Sequence, residues 1–129
     1  MRYLIDTDWM VSYLNGRQDA VDLFASFRND QLAISLITYG ETFDGIYGGQ
    51  NPTRFESGFR QILQYVDVLG LDGDILELFA RIRGQLRASG QMIGDFDILI
   101  AATALHHDLT LVTRNRRHFE RIPNLALYP

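Results

Sequence analysis

The chain contains no cysteine and no lysine. Without cysteine there are no disulfides, thiolate zinc sites or thiol nucleophiles, and the composition fits a reducing compartment, the cytoplasm. Without lysine there is no Schiff-base chemistry, no P-loop and no lysine general base. All twelve basic residues are arginines, so phosphate contacts must come from guanidinium forks, backbone amides or a metal. No apolar run approaches the ~18 residues that a membrane span requires. The opening Met-Arg-Tyr-Leu-Ile-Asp has no apolar signal segment, so no secretory signal is expected. A net charge of −4 argues against nucleic-acid binding by bulk charge, although arginines gathered in a patch can still provide it.

What is present suits a compact α/β protein. A chain of 129 residues with 47% hydrophobic residues is about one domain, spanning residues 1–129, and needs no staples. Tyr3-Leu4-Ile5, Leu32 to Ser35, Val66 to Leu69 and Leu109 to Thr113 read as short strands, and Leu125 to Leu127 as a possible fifth at an edge. Between them, helical spacing is expected over Asp8 to Leu14 (Asp8 as N-cap, Asn15-Gly16 as stop), residues 18–28, Thr38 to Tyr47, residues 53–64, Asp72 to Ser89 and Asp97 to His106. Strands alternating with helices predict a parallel sheet with helices on both faces.

Four polar residues stand at the ends of apolar runs: Asp6 after Tyr-Leu-Ile, Glu41 after Ile-Ser-Leu-Ile-Thr-Tyr-Gly, Asp97 before Ile-Leu-Ile-Ala-Ala, and Asn115 after Leu-Val-Thr-Arg. In open parallel sheets, sites form outside the carboxyl ends of the strands. If the first, second and fourth strands are neighbours, all four converge on one cleft. Like charges at about 4 Å repel by roughly 1 kcal/mol in water and about 4 kcal/mol at an effective dielectric near 20. A hard divalent cation held by oxygen ligands relieves that repulsion and suits Mg²⁺ or Mn²⁺. The chemistry implied is hydrolysis of a phosphodiester or related phosphoryl bond.

Those residues carry a resemblance. The opening Tyr-Leu-Ile-Asp-Thr-Asp, Ser35 to Glu41 (Ser-Leu-Ile-Thr-Tyr-Gly-Glu), Ile93 to Ala102 (Ile-Gly-Asp-Phe-Asp-Ile-Leu-Ile-Ala-Ala) and Leu111 to Phe119 (Leu-Val-Thr-Arg-Asn-Arg-Arg-His-Phe) are, in that order, similar to the PIN-domain ribonucleases, and within them to VapC-type toxins of toxin–antitoxin systems. The resemblance implies a three-layer α/β/α fold with a short, mostly parallel central sheet of four to five strands. It implies a Mg²⁺-dependent endoribonuclease, with Mn²⁺ as substitute, cutting tRNA or ribosomal RNA to 5′-phosphate and 3′-hydroxyl ends. It also implies a cognate antitoxin that covers the cleft, and a homodimer. Asp6, Glu41 and Asp97 match the family's core acids, and Asn115 a fourth position that is an acid in some members. Asp95 is an additional ligand or an N-cap.

Around this core the residues carry plainer alternatives. Asp8 reads as a cap or a support for the ligands, with a direct ligand as the alternative, and Thr113 as a positioning hydroxyl. Arg114, Arg116 and Arg117, with His118, either hold RNA phosphates or form a solvated loop. Arg83 and Arg87 extend that patch, while Arg81 pairs with Glu77. His106 and His107 suit a helix C-terminus better than a metal. Trp9, Tyr13 and Phe43 stack bases or pack the core. Two other functions stand beside the nuclease. One is a non-catalytic PIN-like domain that binds RNA or protein. The other is a haloacid-dehalogenase-like phosphatase, suggested by Asp6-Thr7-Asp8 but opposed by Met10, the missing lysine and the order of the later segments.

Overall fold

Strands and helices alternate through the computed structural model, which describes residues 2–27 and 31–129. In chain order the elements are β1 (Tyr3–Ile5), α1 (Thr7–Leu14), α2 (Gln18–Ser26), β2 (Leu32–Ser35), α3 (Leu36–Gly48), α4 (Pro52–Ile62), β3 (Val66–Leu69), α5 (Gly73–Ala88), α6 (Asp95–His106), β4 (Thr110–Val112) and α7 (Arg116–Phe119). The four strands pair in the order β3-β2-β1-β4, all parallel. The first, second and fourth are therefore neighbours, and their carboxyl ends share one edge.

Successive strand residues point to opposite faces, and this alternation sorts the core into two halves. Leu4, Ala33 and Leu111 point into one half, with Ile75, Ile82 and Leu86 of α5 and Ile98, Ala101 and Ala102 of α6. Ile5, Ile34 and Val112 point into the other, with Met10, Phe24, Ile46 and Phe59 of α1 to α4. The result is the expected helix–sheet–helix sandwich. α6 is apolar nearly all round, with Ile98, Ile100 and Ala101 to Ala104 buried, because it lies wedged between the sheet and α5.

Several boundaries differ from the sequence reading, each for a local reason. Asp6, not Asp8, caps α1: its backbone is extended and its side chain accepts from the Thr7 amide. Asp95, not Asp97, opens α6, after an extended Gly94 that offers no side-chain cap. Asp97 thus lies inside the first helical turn. Leu125 to Leu127 forms no strand; a single parallel bridge joins Leu127 to Leu111, made by the Leu111 amide donating to the Ala126 carbonyl and the Tyr128 amide donating to the Leu111 carbonyl. The stop after α1 is as expected, with Gly16 in the left-handed region at φ +72°. The expected end of α2 at Arg28 lies outside the described residues.

Candidate active site

Register delivers the first part of the site. β1 pairs with β4 so that Ile5 opposes Val112, which sets Asp6 against Thr113 one step beyond. The Asp6 amide donates to the Val112 carbonyl at 3.0 Å. The Thr113 hydroxyl donates to Asp6 Oδ2 at 2.6 Å, and the Asn115 amide donates to Thr113 Oγ1 at 3.0 Å. The other Asp6 oxygen accepts from the Thr7 amide at 2.8 Å. Every donor to Asp6 is uncharged. The carboxyl is 5% exposed, and burial, then the neighbouring charge of Asp8, with a smaller push from Asp97, raises it to about 7.

β2 and α3 deliver Glu41. Ser35 ends β2 and caps α3, its Oγ accepting from the Thr38 amide at 3.0 Å. Glu41 follows Thr38 by three residues, so both share one helix face. Thr7 Oγ1 lies 2.7 Å from Glu41 Oε1 and 3.0 Å from Thr38 Oγ1. One hydroxyl has one proton, so Thr7 donates to the carboxylate and accepts from Thr38.

α6 and α7 deliver the rest. The positive end of α6 favours carboxylates in its first turn, and Asp97 sits there. His118 Nδ1 lies 3.4 Å from Asp97 Oδ2 and 2.7 Å from Asn115 Nδ2. Short α7, where no helix was expected from the sequence, turns His118 back onto the site. Asp97 raises both Asp6 and Asp8, so the three carboxylates share one field. In Asp8, burial pushes the carboxyl up most, against hydrogen bonds from the backbone of Arg114 and Trp9.

Other candidate residues take different places. Asp95 turns to Arg83, its Oδ1 2.9 Å from Nε. Arg114 donates to Asp19 at 2.9 Å and to Ser12 at 3.3 Å. Arg116 donates to the Tyr128 carbonyl and faces Glu120 at 3.7 Å. Arg117 projects without a partner among the described residues. Arg81 pairs with Glu77 at 3.4 Å. Tyr13 stacks on Phe24, and Phe43 packs against Tyr39 and Phe59. His106 ends α6 at 3.9 Å from Asp72.

The residues suit a hard cation. The donors are all oxygens: Asp6, Glu41 and Asp97 carboxylates with the Asn115 amide nearby. A buried carboxyl raised by neighbouring acids and met only by neutral donors is one that a divalent ion would lower. Mg²⁺ keeps several waters and takes one or two carboxylates directly, so the acids need not all meet at one point. Asp8 and Glu41 already spend oxygens on Trp9, Arg114 and Thr7. Asp72, Asp74 and His106 do bring ligand atoms within 4.8 Å of one another, but all three are exposed. Asp72 there caps α5 by accepting from the Ile75 amide, and α6 carries His106 roughly 14 Å from Asp97 at ~1.5 Å per residue.

The sequence reading missed Thr38 and the inward turn of His118. A hydroxyl one turn before Glu41 was a readable signal for the first; the second had none.

No helix is long and apolar enough to cross a membrane among the described residues. A family model for the PIN domain matches residues 3–125. The ribonuclease VapC2 of Rickettsia felis is 30% identical over 131 aligned positions, covering 98% of this chain and 96% of its own. The tRNA(fMet)-specific endonuclease VapC of Shigella flexneri is 27% identical, covering 97% and 95%. Among solved structures, VapBC2 from Rickettsia felis bound to a promoter DNA fragment superimposes with a TM-score of 0.91 at 27% identity, covering 99% of this chain and 98% of that one. VapBC-1 from nontypeable Haemophilus influenzae gives 0.87 at 29% identity, covering 99% and 97%. With a family model over residues 3–125 and a relative 30% identical at near full length, this chain belongs to the PIN-domain family, among its VapC ribonucleases.

Proposed function

We propose that the protein is a metal-dependent endoribonuclease of toxin type, acting in the cytoplasm on tRNA or ribosomal RNA. In this reading a cognate antitoxin neutralises it and it works as a homodimer. The observation that carries the activity is the strand-end cluster: Asp8 and Asp97 both push Asp6 up, Asp97 also pushes Asp8 up, and the hydrogen bonds to Asp6 come from neutral groups only. Asp6, Glu41 and Asp97 would hold Mg²⁺ or Mn²⁺. When bound, the ion supplies positive charge that offsets the acids and polarises a phosphodiester.

The chain's own residues do the rest. Thr113 and the Thr7 amide fix both oxygens of Asp6, and Thr7 fixes Glu41. Asn115, held between Thr113 and His118, offers an amide to the cleft at no charge. Asp95, ion-paired with Arg83, acts as a neighbour of the site rather than a direct ligand. Arg117 is the phosphate contact of the basic patch, because Arg114 and Arg116 are engaged internally. A phosphatase of the dehalogenase type has no place in this family, and with the acids intact a purely binding role has no observation in its favour.

The test is cleavage of total RNA by the purified protein in Mg²⁺ or Mn²⁺, with 5′-end mapping. Discrete cuts lost with chelator and with Asp97→Asn are expected. Absence of cutting by the wild type with metal bound would overturn the nuclease reading.

A further inference from the structure

Beside the acids lies a flat surface that the hydrolysis does not use. The Arg114 guanidinium lies over the Trp9 indole, 3.6 Å from the ring centroid. Its Nη2 is fixed sideways by Asp19 at 2.9 Å and Ser12 at 3.3 Å. One carboxylate positions both members of the stack: Asp8 accepts from the Trp9 amide at 2.7 Å and from the Arg114 amide at 3.1 Å. The stack is therefore tied to the acid cluster, immediately after Thr113.

This arrangement suits Arg114 poorly to holding phosphate. Asp19 offsets its charge, and Arg114 in turn holds the Asp19 carboxyl below the usual range. A third of the Arg114 side chain, 33%, is exposed. A guanidinium held flat on an aromatic ring is shaped as a stacking surface, and unpaired RNA bases stack on arginine planes as well as on rings. Phe96, next to Asp97, is 55% exposed and gives the site's rim a second flat group.

Resting on the nuclease reading, we propose that Arg114, backed by Trp9, is a stacking platform for an unpaired nucleobase adjoining the scissile phosphate. The platform selects single-stranded RNA by the presence of a base at that position. Its sequence tolerance is broad, because every base has a π-face.

Trp9 is the only tryptophan, so its emission reports on the platform directly. The wild-type protein is titrated with a 12-nucleotide single-stranded RNA and with an abasic ribose-phosphate oligomer of equal length, in Ca²⁺, with oligomer integrity checked on gels. Trp9 emission is expected to change saturably with the RNA, and the abasic oligomer to bind about ten-fold more weakly, within the range of one stacked base. Arg114→Lys keeps the charge and loses the plane. It should bring RNA affinity down to the abasic level while leaving abasic binding unchanged. Equal binding of the two oligomers by the wild type, or equal weakening of both by Arg114→Lys, overturns the proposal.

Should Arg114→Lys lower the melting temperature so far that it is not folded, a single abasic position is moved along the RNA against wild-type protein. One position that alone restores the free Trp9 emission supports the platform; the same emission at every position overturns it. RNA cleavage is scored separately. Cutting without base dependence removes the platform alone, and base-dependent Trp9 signals without cutting remove the nuclease reading alone.

Discussion

Thr113 donates to Asp6 and accepts from the Asn115 amide, so one buried hydroxyl joins the end of β1 to the turn after β4. Thr113→Val keeps the shape and removes both bonds. It orphans an amide, at a cost of about 1–3 kcal/mol, and frees a carboxylate of the proposed metal-binding group, where lost outer contacts cost about 10–100-fold in metal affinity or activity. Thr113→Ser should restore both; denaturant melts and cleavage rates give the comparison. Asp6 adds a pH dependence to the metal-free protein. Burial and the neighbouring acids push its pKa in the folded state up to about 7, above the 3.8 of a free aspartate, so between those values the native state keeps a proton that the unfolded chain has released. Stability therefore falls as pH rises from about 4 to 7, by an amount on the order of a few kcal/mol. Asp6→Asn should flatten that slope, and Mg²⁺ should raise the melting temperature more at pH 8 than at pH 5. A metal-free protein as stable at pH 7 as at pH 4.5 would sink this account. The acids and Asn115 could be singled out in the sequence because each ends an apolar run. The part played by Asp8 was not legible: its Oδ2 meets the Arg114 amide across 106 residues, a contact that exists only once β1 and β4 are in register.

At the scale of elements, α3 shows how a cap reaches the site. Ser35 is fully buried and its Oγ accepts from the Thr38 amide, which fixes the first turn carrying Thr38 and, three residues on, Glu41. Ser35→Ala is expected to cost about 1 kcal/mol and to lower the melting temperature by several degrees, about 3–6 °C for a domain of this size. Ser35→Thr or Ser35→Asp keeps an acceptor and should recover most of the loss. An alanine variant with unchanged melting would show that α3 does not depend on the cap. The strands and long helices were readable because burial on two faces leaves short apolar runs, and burial on one face leaves 3.6-residue spacing. α7 was not readable: it has four residues, three of them Arg or His, too few for any apolar period. The Leu125–Leu127 segment failed the other way, apolar enough for a strand but reaching its neighbour only at the Leu111–Leu127 bridge.

The whole molecule carries a net charge of −4, yet the proposed substrate is a polyanion. The arginines do little to resolve this by bulk charge. Arg60, Arg81, Arg83, Arg114 and Arg116 all face carboxylates, whereas Arg87 and Arg117 make no such pair among the described residues. In the proposed reaction, attraction to phosphate must therefore come from a few contacts and from the cation that the acids would hold. Each neutralised phosphate of a single strand contributes about −0.7 to the slope of log affinity against log salt. Binding of a 12-nucleotide RNA between 50 and 200 mM salt should accordingly give a slope no steeper than about −2. Arg117→Ala should make it shallower by about 0.7. Arg114→Lys should leave the slope where it is while weakening binding, because a stacked base releases no counterions. A steep slope that collapses on changing Arg114 would instead make Arg114 a phosphate clamp, and the platform would have to be given up.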